Sequence, residues 1–273
     1  MTTPQPPTTP PPEQPGGDPW LPAKLAAIYL IASSERDTYQ GFQEMVKAFL
    51  AYVRPRVLRK GHIDPTGVLA GRELWRHQLG RFVNERIRPV LERAYRASRR
   101  KVLGDDEIPG GFDQLAFTRA YIAQVQNKLV RVPDELFEEI RAHVDAGVRA
   151  GHDIPTIAGQ IEATLLDGGA EVWVNRGTTV ARTEVVGANN AGAFQAFADL
   201  GAGEQVEKVW LATHDRRTRD THRIADGQRV SYAQPFMVGG FPGMHPGDKL
   251  LPPQESINCR CTALYVLHGE EVA

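Results

Sequence analysis

The chain has 273 residues, of which 41% are hydrophobic and 24% charged, and its formal net charge is −1. These values fit an ordinary globular protein of one large domain or two small ones. No apolar run approaches the roughly 20 residues that span a bilayer, and two cysteines cannot build a disulfide framework, so a reducing compartment is the simpler setting.

Residues 1–19 are almost entirely Pro, Thr, Gln and Gly, without the basic and apolar regions of a secretory leader. Such a stretch cannot bury enough apolar surface to offset its ordering entropy, so a polyproline II or coil tail is expected. From Trp20 onward Leu25, Ile28, Tyr29, Phe42, Met45, Val46, Phe49 and Leu50 recur at helical spacing. A second helical stretch covers 64–103. Asp64 and Pro65 supply its N-cap and first turn, and Pro89 is expected to kink or split it. A turn at 104–111 precedes helical patterns over 113–130 and 133–151. No long strand is expected before about residue 205, so the first two-thirds reads as all-α.

Charge is uneven along these helices. Between Arg54 and Lys101 fourteen Lys or Arg stand against Asp64, Glu73, Glu85 and Glu92, a local +10 in a chain of net −1. Such a stripe suits nucleic acid or an acidic protein face, and equally a set of solvated helix faces. No base-reading motif interrupts it, so a DNA contact through Arg93, Arg96, Arg99 and Arg100 would be to phosphate and indifferent to sequence.

A further long helix is expected over 170–201, stopped by Gly201. The pattern then changes. Residues 206–213, VEKVWLAT, alternate as a strand, Asp226-Gly227 marks a turn, 232–256 is irregular, and 257–267, INCRCTALYVL, is the last strand. The fold class is therefore α+β, a mainly α-helical N-terminal region followed by a small α+β domain with a short antiparallel sheet.

The blocks ARTE at 181–184, VWLATHDRRTRDTH at 209–222, DGQRV at 226–230, MHPGD at 244–248 and INCRC at 257–261 together resemble the phage Mu F-like head morphogenesis family over roughly residues 140–268. Many members of that family carry two cysteines where this chain has Arg219 and His222. The resemblance implies a minor capsid protein, built into the virion with the portal or the major capsid protein as partner, with no established catalysis. It implies structural roles for Arg182, Thr183, Glu184, Trp210, Asp215, Arg217, Arg219, His222, Asp226, Gly227, Gly247, Asp248, Asn258, Cys259, Arg260 and Cys261. The chain divides accordingly into the tail 1–19, a helical docking domain 20–152, a Mu F-like domain 153–268 and a C-terminal tail 269–273. Docking would use apolar helix faces such as Leu74, Leu79, Phe82 and Val83.

If 257–267 is one strand, Cys259 and Cys261 share a face about 6.6 Å apart, poorly posed for a disulfide with each other. Two readings stay open. The thiols pack as small hydrophobes, or they form half of a zinc site with His222 as third ligand and His214, Asp215 or His245 as fourth. No cofactor is otherwise expected. The motifs of nucleotide-binding loops, serine hydrolases and zinc proteases are missing from the sequence. Glu184 beside Arg182 leaves a toxin-like transferase or nuclease, delivered with phage DNA, as the alternative function. Cys259 beside His222 is a weaker nucleophile candidate.

Overall fold

The computed structural model describes residues 21–59, 61–103, 111–112, 115–165, 171–201, 203 and 205–267. The proline-rich tail, most of the 104–111 turn, the C-terminal tail and the side chains of Leu25, Ile28 and Tyr29 lie outside the described residues.

Helix α1, Leu21–Val57, buries Phe42, Met45, Val46, Phe49, Leu50, Val53 and Val57 along one face, the stripe that a 3.6-residue period dictates. A two-residue antiparallel bridge, β1 Leu58–Arg59 with β2 His62–Ile63, turns the chain back. Asp64 caps the next segment by accepting from Thr66 N at 3.0 Å. With Pro65 in the first turn, that segment is a 3₁₀ helix, Pro65–Gly71, leading into α2, Arg72–Phe82.

Pro89 does not break the helix that follows. Its ring excludes the carbonyl four residues back and it has no N–H to give. The chain responds by widening one turn. Val83–Ile87 is π-helical, with Arg88 N–H reaching back five residues to Val83 O, and α3, Arg88–Leu103, continues directly from it.

Helices α4, Ala116–Leu129, and α5, Val132–Arg149, stand where the periodicity places them. Helix α6, Ile154–Leu165, was not anticipated, although Ile157, Ile161 and Leu165 form its buried i, i+4, i+8 row. Helix α7, Glu171–Asp199, ends before Gly201, whose φ is 63°. One apolar cluster runs from Ile31 to Ala196 and gathers residues of all these helices. At its centre Trp75 meets Phe42 and Phe49 edge-on, at ring distances of 6.3 and 5.1 Å. Leu79, Phe82 and Val83 belong to the same cluster, with at most 4% of their surface exposed. They are the protein's own core and offer no apolar docking face.

Helix α7 approaches α3 so closely that a Cβ at Gly192 would lie 2.4 Å from Leu91 O, a distance only glycine permits. Beyond α7 the chain builds a three-stranded antiparallel sheet of order β4-β3-β7. Its centre is β3, Val206–Leu211, flanked by β4, Arg229–Ser231, and β7, Thr262–Leu267. Where no helix or strand was expected, the structure holds a one-and-a-half-turn helix α8, Asp220–Ala225, a hairpin of β5, Phe236–Val238, and β6, Phe241–Gly243, and the single turn α9, Pro253–Ser256. The last strand begins at Thr262 rather than at Ile257. Asn258 sits at φ 58°, a left-handed conformation that a strand cannot contain.

Candidate functional site

The motif residues converge where α7, α8, α9 and the segment before β7 meet. Helix α8 carries His222 inward, and the left-handed turn at Asn258 sends Cys259 and Cys261 toward it. All three side chains are at most 2% exposed, and their Nδ1 and Sγ atoms lie within 4.8 Å of one another. Nδ1 of His222 is 3.2 Å from Cys261 Sγ and 3.8 Å from Cys259 Sγ.

The other face of the imidazole fixes its protonation. Nε2 lies 3.1 Å from Glu255 Oε2, and this carboxylate is itself buried and accepts from Thr221 Oγ1 at 2.9 Å. A carboxylate only accepts, so Nε2–H points to Glu255 and Nδ1 faces the two sulfurs. The thiols are unequal. The Cys261 side chain, with backbone N–H groups of Cys261 and Gly247 and the charge of Arg219, lowers the Cys259 pKa. Sharing with Cys259, together with burial, pushes Cys261 well up. Trp210 closes the centre, its ring edge-on to His222 at 5.6 Å and to Phe236 at 5.3 Å.

The remaining motif residues fix loops. Asp215 takes a two-pronged contact from Arg260, accepts from Arg217 N at 2.8 Å, and is held well below the usual carboxylate range chiefly by Arg260. Arg219 donates to Ile257 O. Asp226 accepts from Ala212 N at 2.6 Å, while Gly227 N donates to Trp210 O at 2.8 Å. Asp248 closes its own turn by accepting from Met244 N and Leu250 N. Gly247 has φ 72°, and a Cβ there would meet Gly187 Cα at 3.2 Å. Arg182 lies 3.8 Å from Glu35 and 3.5 Å from Asn258, whose backbone N–H donates to Thr183 Oγ1 at 3.0 Å.

Several expectations need correction. His214 is exposed and paired with Asp226 at 2.7 Å, away from the thiols. His245 leans on Phe194 with Nδ1 near Pro246 O, and Asp215 is engaged by Arg260, so none of the three joins the centre. Glu184 is 2% exposed and ion-paired with Lys128 at 2.6 Å.

Part of the basic stripe is paired with acids from other elements. Arg54 pairs with Glu162, Arg72 with Asp134, and Arg86 with Glu44 at 3.8 Å, while Arg76, Arg81 and Arg96 pair within their own helices. Arg93, Arg96 and Arg100 remain on the exposed face of α3. Arg99 folds back, its guanidinium 5.8 Å from the Tyr95 ring.

Sequence reasoning missed Glu255, Asn190 and Lys208. Buried Asn190 on α7 donates to Cys261 O and accepts from Ala263 N, each at 3.1 Å. Fully buried Lys208 donates to Met244 O at 2.9 Å among the rings of Phe194, Tyr232 and Phe236. The only advance signal was Pro252-Pro253 before Glu255, a helix start with an acid in its first turn.

Comparison with known proteins bears on this segment. Residues 138–264 match the family model described as Phage Mu protein F like protein. The chain is 27% identical over 137 residues to the minor head protein GP7 of Bacillus phage SPP1, and 26% identical over 147 residues to the NAD(+)–arginine ADP-ribosyltransferase EFV of Enterococcus faecalis. These alignments cover 50% and 54% of this chain but only 42% and 29% of those proteins, so the chain spans under half the length of the curated relatives it matches. No solved structure matches.

Proposed function

Residues 138–264 are Mu F-like, and on that premise we propose that the protein is a minor head protein of a phage, built into the virion during assembly beside the portal or the inner shell. The observation that carries this reading is the joint match to the family model and to the SPP1 minor head protein. The motif residues then serve as scaffolding, since most of their polar atoms are committed to loops and to one another. No described helix is long and apolar enough to cross a membrane.

The helical part, 20–152, supplies the surface that meets the capsid partner, and the Mu F-like part, 153–268, is carried with it. With Leu79, Phe82 and Val83 in the core, docking rests on the charged outer faces of α2 and α3. Arg93, Arg96 and Arg100 reach packaged DNA through phosphate alone. The test is mass spectrometry of purified heads from wild-type phage and from phage with a stop codon in this gene. The protein should be present in wild-type heads, and its loss should lower the yield of infectious particles. Full infectivity without it, together with its absence from mature heads, would overturn the reading.

The alternative is an enzyme delivered with the DNA. It draws on the transferase relative, of which the aligned stretch is 29%. Labelled NAD⁺ incubated with the protein and an arginine acceptor should leave the acceptor unlabelled. Label on arginine would install the alternative instead.

A further inference from the structure

We propose that His222 Nδ1, Cys259 Sγ and Cys261 Sγ bind one zinc ion, and that Glu255 is the positioning carboxylate that holds the imidazole for it. The inference does not depend on the role in the head.

Three observations carry it. The first is distance. Tetrahedral zinc with a nitrogen at about 2.05 Å and a sulfur at about 2.3 Å holds them roughly 3.6 Å apart. The two nitrogen–sulfur separations, 3.2 and 3.8 Å, bracket that value. The second is donor chemistry. Nδ1 has a single lone pair once Nε2–H is committed to Glu255, so it can accept from only one thiol. A hydrogen-bonded trio is completed only by one thiol giving its proton to the other sulfur, a weak donor to a weak acceptor, whereas one cation satisfies all three atoms. Two thiolates and a neutral imidazole also cancel the charge of Zn²⁺, which suits a site buried to 2% or less. The third is the outer shell. A ligating histidine almost always gives its second N–H to a carboxylate, carbonyl or water, and Glu255 is such a carboxylate, buried and braced by Thr221.

The ligands come from α8 and from the segment before β7, 37 to 39 residues apart in sequence. The ion would therefore close the small domain across a long loop, as a structural staple. Three protein ligands leave one position of the tetrahedron open.

The full-length protein, purified under reducing conditions, is assayed for zinc by elemental analysis. It is then stripped with a chelator and titrated with Co²⁺ while thiolate-to-cobalt absorption is followed. We expect one metal per chain, a lower melting temperature after stripping, and recovery on adding Zn²⁺. Cys261→Ser should lose the metal. Glu255→Gln should keep the ligands but bind Zn²⁺ about 10- to 100-fold more weakly. His214→Ala should bind as the parent does. The site is overturned if the parent takes up neither ion at micromolar concentration, or if Cys261→Ser retains full stoichiometry. Should that variant fail to fold, the cobalt titration of the parent decides alone.

Discussion

Trp75 and Trp210 are both fully buried, but in different company. Trp75 stands among Phe42, Phe49 and the helix faces around them, and its indole N–H donates to Leu129 O at 2.9 Å. Trp210 lies between His222 and Phe236, and its Nε1 has no hydrogen-bond partner among the described residues. The difference holds for their regions. The bundle is one broad apolar cluster, where each contact is one of many. The C-terminal part has three small clusters, joined by single polar residues with defined partners. A bundle of the first kind loses stability in proportion to the volume removed. A region of the second kind depends on geometry, so an isosteric change can cost as much as a truncation.

The largest effect should follow Trp75→Ala. The cavity should cost about 3–5 kcal/mol in denaturant unfolding. A loss below about 1 kcal/mol would mean the bundle is looser than its burial implies.

Lys208 offers the sharpest contrast through pH. Burial lowers its pKa to about 8 against the nearby charge of Asp248, from the 10.5 of the exposed side chain. Between those values the unfolded chain binds more protons than the folded one, so stability rises with pH from about 8 to 10.5, by about 2–3 kcal/mol. Lys249 titrates in the same window. Lys208→Met should therefore reduce the rise without abolishing it, and urea midpoints at a series of pH values would show this.

Asn190 tests the dependence on geometry directly. Asn190→Leu keeps the branched heavy-atom shape but strands Cys261 O and Ala263 N, at about 2 kcal/mol. If Leu is tolerated better than Ala by more than about 1 kcal/mol, packing rather than hydrogen bonding governs the join.

The smallest effect belongs to the surface. Arg96→Ala breaks an exposed i, i+4 pair with Glu92 and should change stability by under about 0.5 kcal/mol. Reversing Arg93, Arg96 and Arg100 to Glu should leave folding intact while weakening DNA binding at low salt. Unchanged binding would remove the DNA contact from the proposal.

The long helices and β3 were legible because their apolar residues repeat over several turns or pairs, while α6, with the same kind of row in Ile157, Ile161 and Leu165, was missed. Segments as short as α8, α9 and the β5–β6 hairpin hold too few residues to display a period. The His222–Cys259–Cys261 trio was legible from residue type, yet Glu255, which sets its tautomer, lies in no repeating pattern. The basic stripe is weaker in space than in sequence for a physical reason. Charge summed along the chain omits Glu44, Asp134 and Glu162, which α1, α5 and α6 bring alongside it. Likewise an apolar stripe such as Leu79, Phe82 and Val83 states that a helix face is covered, not whether the cover is the chain itself or a partner.

Helix α7 has a mechanical consequence. At about 1.5 Å per residue its 29 residues make a rod of roughly 44 Å. Gln43 of α1 holds its early turns through Trp173 O, the backbone of α3 presses on Gly192, and Asn190 grips the start of β7. Among the described residues the two regions thus share one beam. A pull on the start of β7 is therefore passed through Asn190 to α7, and from there to the bundle that α7 is packed against.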